Sequence, residues 1–140
     1  PETDEMEQWV RMRMALWPDC PADQHRQEME EILRNPQAAI LVGVGADGRL
    51  QGFVEVSIRT YAEGCRTHTV GYLEGWYVEP LARQQGIGRA PVMAAEEWAR
   101  TKGCTEMASD APLDNHASQL AHERLGYRQT EKLVHFRKDL

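Results

Sequence analysis

Apolar residues recur at helical spacing near the start of the chain. Met6, Trp9, Val10, Leu16 and Trp17 form a run that stops at Pro18 and predicts a first helix. A second helix follows Pro21, with Met29, Ile32 and Leu33 on one face, and ends near Asn35-Pro36. The pattern then changes. "AAILVGV" (38–44) is a short continuous apolar run between turn signals and reads as a strand. Asp47-Gly48 is a hairpin signal that leads into a strand through "LQGFVEVSI" (50–58). Polar "TYAEGCRTHT" (60–69) reads as a loop, and "VGYLEGWYV" (70–78) as a buried strand. Farther on, Val92, Ala95, Trp98 and Ala99 define a helix that ends at Lys102-Gly103, and "CTEMAS" (104–109) is a weaker strand. Ala117, Leu120, Ala121 and Leu125 make a last helix, closed by Gly126, and the tail "YRQTEKLVHFRKDL" is strand-like. The order α, α, β, β, β, α, β, α, β mixes a hairpin with crossovers. It predicts an α+β fold, a mixed central sheet flanked by helices.

Composition narrows the function classes. A chain of 140 residues with 41% apolar residues and four tryptophans suits one domain, 1–140, with one core. The formal net charge is −6 and the basic residues form no long cluster, which speaks against a nucleic-acid surface. An acidic balance suits a cationic partner, and equally an ordinary soluble protein. Cys20, Cys65 and Cys104 are odd in number and lack paired spacing. That pattern argues against a disulfide framework and a zinc ribbon, leaves no metal site to expect, and fits a reducing cytoplasm. No apolar run approaches the ~20 residues of a membrane span, and nothing reads as a signal peptide. The numbering opens on Pro1, without an initiator methionine, almost directly in the first helical pattern.

The chemistry concentrates in "EPLARQQGIGRAPVM" (79–93), between the buried strand and a helix. A P-loop would need Lys-Ser or Lys-Thr after the glycines, and a dinucleotide fingerprint would need Gly where Pro91 stands. What remains is Arg83-Gln84-Gln85-Gly86-Ile87-Gly88 at a helix start. The first N–H groups of a helix lack internal partners and favour an anion, glycines allow close approach, and Arg83 and Arg89 add charge. Taken alone, the same residues also describe a plain strand-to-helix turn.

The neighbours tip that balance. Arg/Gln-x-x-Gly-x-Gly after a strand resembles the acetyl-CoA loop of the GCN5-related N-acetyltransferase (GNAT) superfamily. "DNHASQLAHERLGY" (114–127) resembles that superfamily's second signature. The resemblance runs from about residue 3 to the C-terminus and implies the GNAT fold, with the family's leading strand missing from this numbering. "LWP", "EEIL", "SIR", "YLEG", "GCTEMASD" and "TE" are further similar to the aminoglycoside 6′-N-acetyltransferases, antibiotic-resistance enzymes. That similarity implies an acceptor site of Trp17, Tyr61, Glu74, Asp110 and Glu131. It implies an acetyl-CoA site of Trp76, Tyr77, Val78, Arg83, Gln84, Gln85, Gly86, Ile87, Gly88, Arg89 and Asn115, with no metal. It also implies a homodimer, commonly formed through the C-terminal part of the sheet.

The residues themselves agree with such an acceptor site. An aminoglycoside is a polycation, and several carboxylates would attract and orient it. In strict alternation Tyr72, Glu74, Trp76 and Val78 share one face of their strand, where a glutamate is costly to bury without a cationic partner. Gly75 could mark a bulge. Individually, Asp110 is equally a turn residue, Glu131 a solvated strand residue, Trp17 core and Tyr61 a surface aromatic. Glu74 is the candidate general base, or else an ammonium binder. His122 stands where many relatives place a tyrosine that protonates the departing thiolate, and it is a catalytic candidate or a structural histidine. Neither Cys65 nor Cys104 lies beside a base, which favours direct transfer in a ternary complex. Two other readings remain open: an acetyltransferase of polyamines, small amines or protein N-termini, and a non-catalytic acyl-CoA-binding module.

Overall fold

The computed structural model describes residues 3–83 and 85–140; Gln84, one of the loop residues assigned above to the coenzyme, lies outside the described residues. Helix α1 (Thr3–Leu16) and helix α2 (Ala22–Arg34) flank the Pro18 and Pro21 breaks as their periodicity predicts. Strands β1 (Ala38–Val44), β2 (Leu50–Arg59) and β3 (Val70–Val78) follow. A short 3-10 turn (Pro80–Ala82) leads through the glycine loop to α3 (Arg89–Thr101). The weak strand shortens to β4 (Met107–Ser109), and α4 (His116–Arg124) closes the series.

The sheet runs β1-β2-β3-β4, with two antiparallel pairings and a parallel β3–β4 pair. Its centre is covered on both sides, which explains why β2 reads as almost continuously apolar. Phe53 points toward α1 and α2, into Trp9, Val10, Met12 and Met29. Val54 and Val56 point the other way, into Val92 and Ala95 of α3 with Leu73. Alternation along β2 therefore places Glu55, Ser57 and Arg59 on the α1–α2 side.

Two expectations need correction. Glu55 pairs with Gly75 and Val56 with Leu73, so Glu74 is the extra residue of a β-bulge. A bulge resets the alternation. Glu74 stays on the α1–α2 side with Tyr72 and Ser57, whereas Trp76 and Val78, beyond the bulge, turn toward α3 and Gly88. Tyr72, Glu74, Trp76 and Val78 do not share a face. The second correction concerns the tail. Residues 128–140 adopt no strand, and Phe136 is 92% exposed. Alternating side chains define a face, but a strand also needs a neighbour to hydrogen-bond, and the described residues supply none there.

β4 pairs only with Gly71–Leu73. Beyond that point β3 and β4 part, and residues 74–78 keep a free edge among the described residues. The bulge sits where the free edge begins.

Candidate active site

A cavity of about 870 Å³ opens between the α1–α2 connection and the bulged part of the sheet, lined by Trp17, Glu28, Glu31, Glu55, Ser57 and Glu74 among others. Trp17 forms its wall. The indole stacks against His25 with ring centres 6.4 Å apart and lies under the Arg13 guanidinium at 4.9 Å. It passes so close over the bulge that a Cβ on Gly75 would collide with it. Glycine at 75 is thus a packing requirement of the cavity wall.

Glu74 is half-buried and fully engaged. Arg59 donates from Nε to Oε2 at 2.9 Å and from Nη2 to Oε1 at 2.6 Å, and the Ser57 hydroxyl donates to Oε2 at 2.5 Å. The Arg59 guanidinium also lies 3.5 Å over the Tyr72 ring. Tyr72 in turn donates its hydroxyl to Asp110 Oδ2 at 2.5 Å. Partial burial and the Asp110 bond hold the Tyr72 phenol well above its ordinary range, so it stays a donor. The bond to Glu74 raises Arg59 above its already high value. Two of the expected acceptor residues, Glu74 and Asp110, are thereby joined through Arg59 and Tyr72, neither of which was assigned from the sequence.

Glu55, also unassigned there, lies deeper in the same cavity and is 4% exposed. Trp9 donates its indole N–H to Oε2 at 3.0 Å, and Arg13 Nε stands 3.0 Å from that oxygen without an aligned hydrogen bond. Burial pushes this carboxyl up to about 7, opposed by the Arg13 charge. A charge inside the apolar run "FVEV" was the signal for Glu55. Arg59 could be found only through the register of β2 on β3.

On the other side of β3 lie the residues expected to hold a coenzyme. Gly88 caps α3 without any side-chain cap, leaving first-turn N–H groups available to an anion. Trp76 donates its indole N–H to the Gly88 carbonyl at 3.1 Å, and Gly86 takes a positive φ of 78°. Arg83 donates from Nε to the Val78 carbonyl at 3.1 Å, Gln85 bonds the Leu81 carbonyl, Ile87 packs on Gly43, and Arg89 is exposed at the helix start. Tyr77 packs on Phe53, on the α1–α2 side. Asn115 caps α4 by accepting from the Ser118 N–H.

His122 packs edge-on to Trp76 at 5.1 Å, beside the free edge of β3. Its Nδ1 lies 2.7 Å from the Ser118 carbonyl, which can only accept, so Nδ1 carries the proton. Nε2 then accepts from the Ser109 hydroxyl at 2.8 Å. Ser109 ends β4, opposite Leu73, at the point where the strands part.

Two expected acceptor residues stand apart. Tyr61 is 66% exposed on the loop after β2. Glu131 lies in the tail beside a separate hollow of about 580 Å³ that Asp110 and His122 also line. Among the described residues, no group of His, Cys, Asp and Glu is arranged to hold a metal ion.

The profile of the acetyltransferase (GNAT) family matches residues 4–127. An aminoglycoside N(6′)-acetyltransferase type 1 of Klebsiella aerogenes is 48% identical, covering 99% of this chain and 93% of that protein. The structure of AAC(6′)-Iy with a bisubstrate analog, CoA-S-monomethyl-acetylneamine, superposes with a TM-score of 0.91 at 39% identity, covering 99% of this chain and 94% of that one. A CoA complex of AAC(6′)-Iy gives 0.92 at 38% identity, over 100% of this chain and 92% of that one.

Proposed function

The chain belongs to the acetyltransferase (GNAT) family, and within it we propose an acetyl-CoA-dependent enzyme that acetylates the 6′-amine of aminoglycosides and so confers resistance. The observation that carries this reading is the acid-lined cavity over the bulge, set against the free edge of β3. A polycation suits the first and an extended pantetheine arm the second, added to the edge like another strand.

The residues present fit the co-substrate, which supplies the thioester. The uncapped N-terminus of α3, with Gly86, Ile87, Gly88, Arg83, Gln85 and Arg89, takes its pyrophosphate. Gln84 is included in this assignment on its sequence pattern alone. Trp76, Tyr77 and Val78 offer the backbone edge, and an N–H near Trp76 the oxyanion contact. Asn115 contributes by holding the start of α4.

A primary ammonium with pKa ~9–10 is protonated at pH 7 and must lose a proton before attack. Glu74 binds the reacting ammonium and takes up that proton, directly or through water. Trp17 packs on the sugar, Asp110 adds a carboxylate linked to Glu74 through Tyr72 and Arg59, and Tyr61 adds an exposed aromatic from the loop after β2. Glu131 adds a carboxylate beside Asp110. On the leaving side, His122 first takes a proton from solvent at Nε2; the Ser109 hydroxyl gives its proton to the thiolate and recovers one from Nε2, which returns the imidazole to its neutral Nδ1–H form.

The unpaired, strand-patterned tail and the short edge strand β4 support a homodimer in which the tail of one copy finds a sheet partner in another. The single domain and a cytoplasmic setting complete the proposal. It is tested by coenzyme A release with kanamycin, tobramycin, spermidine and a peptide. Turnover of both antibiotics alone is the expected result. Turnover of the peptide or spermidine alone refutes the acceptor assignment, and no turnover refutes catalysis.

A further inference from the structure

The carboxylate assigned to the substrate's ammonium already holds a cation. Arg59 grips both oxygens of Glu74 in a fork, at 2.6 and 2.9 Å, and its plane is stacked on Tyr72. The pair is neither deeply buried nor loose: the Arg59 side chain is 42% exposed and that of Glu74 32%. Ser57 fills a further acceptor position on Oε2. Three donors occupy three of the roughly four lone-pair positions of this carboxylate, so an incoming ammonium can take the fork position between its two oxygens only by displacing Arg59.

We infer that Arg59 is the resident cation of the amine subsite, displaced from Glu74 when an acceptor amine binds, and that it thereby sets the affinity threshold for acceptors. This rests on Glu74 being the amine-binding carboxylate. The exchange is balanced in charge, since one cation leaves the carboxylate as another arrives. The stacking on Tyr72 and the Asp110 carboxylate beyond it keep the released guanidinium within an acidic surrounding. Any amine that needs Glu74 meets the same competitor, so its apparent dissociation constant rises by one common factor. A polycation gripping other carboxylates of the cavity still binds usefully above that threshold, whereas an isolated amine falls below it.

Arg59→Met keeps the stem that packs on Tyr72 and removes the competitor. With kanamycin and with 6-amino-6-deoxyglucose, KM is expected to fall by one shared factor of ~10 or more. Arg59→Lys, which keeps the charge and loses the fork, is expected between the two. A drop in kcat at unchanged KM would mean that Arg59 positions Glu74 for chemistry, and overturns the inference. A much larger KM effect on kanamycin than on the single amine would indicate simple charge repulsion, and also overturns it.

A readout free of turnover separates this from the parent assignment. In arginine-labelled wild-type protein, the Arg59 Nε–H resonance is expected to move as 6-amino-6-deoxyglucose is titrated in, and to stay fixed in Glu74→Gln. An unmoved resonance at saturating amine refutes displacement even if antibiotics are acetylated. Wild-type protein that acetylates no aminoglycoside refutes the acceptor assignment, while the titration still decides the fate of Arg59.

Discussion

Glu55 and Glu74 meet the same cavity from adjoining strands, yet their surroundings differ in almost every respect. Glu74 is half-exposed, and three donors point at its two oxygens. Glu55 is buried, with one oxygen served by Trp9 and a poorly aligned Arg13. The bulge creates this contrast. It inserts Glu74 as an extra residue over Ser57 and Arg59 of β2, while Glu55 stays in register beneath α1. One carboxylate is solvated and paired, which suits binding of a charged ligand. The other is kept near its protonated form by desolvation, which suits a floor.

The largest expected effect falls on the buried member. Its folded pKa, about 7, lies above the ordinary 4.5. Below the unfolded value both states hold the proton, and this group's stabilisation is fully present. As pH rises toward 7 the unfolded chain releases the proton first, so the stabilisation is lost through the folded pKa. A shift of this size corresponds to about 3 kcal/mol. In urea unfolding between pH 5 and 8, Glu55→Gln is therefore expected to remove a downward slope that wild type shows. Taking variant minus wild type cancels the carboxylates common to both. Parallel curves would show that burial does not hold a proton on Glu55.

Glu74→Gln is expected to lower kcat/KM for kanamycin about 10²-fold, or about 2.7 kcal/mol. The amide keeps the shape and loses the charge that holds the amine. An unchanged value would remove Glu74 from the mechanism and erase the functional half of the contrast. Stability should change little by comparison, because exposed ion pairs such as that with Arg59 contribute about 0–1 kcal/mol.

This contrast also marks how far the chain can be read without coordinates. Helices α1 to α3 and strands β1 to β3 follow from Trp9, Met29, Phe53, Val54 and their neighbours, because burial on a defined face writes a period into the sequence. Gly75 even marks the bulge. Its consequence was not legible, since one extra residue reverses the facing of Trp76 and Val78 without changing any residue type. Arg59 and Glu74 meet only through the pairing of β2 on β3, which no local pattern encodes. Glu55 was visible as a charge among valines, but its partners Trp9 and Arg13 come from a helix whose docking angle no local pattern encodes. The tail carried a strand pattern with no neighbour to satisfy it, so periodicity there described a capacity for pairing.

Gly75 offers a way to disturb the carboxylates together. A methyl at that position collides with the Trp17 ring, which is itself fixed by His25 and Arg13. Gly75→Ala is expected to cost about 1–3 kcal/mol in thermal or urea unfolding and to shift tryptophan emission as Trp17 moves out. The KM for the acceptor should rise with it, because the cavity wall is displaced. Normal stability, emission and KM would show that the ring yields freely and that the wall does not depend on the glycine.

The smallest effect belongs to the opposite side of β3, and it tests whether the two sides act separately. Arg83 reaches back to the Val78 carbonyl at the end of the free edge, far in the fold from Glu28, Glu55 and Glu74. If it serves the coenzyme, Arg83→Ala raises KM for acetyl-CoA by about five- to tenfold, about 1 kcal/mol, and leaves KM for kanamycin nearly unchanged. An effect confined to kanamycin would mean that the glycine loop contacts the acceptor. Equal effects on both would mean that the loop works by holding the edge of β3 in shape, because that edge is the one element both substrates share.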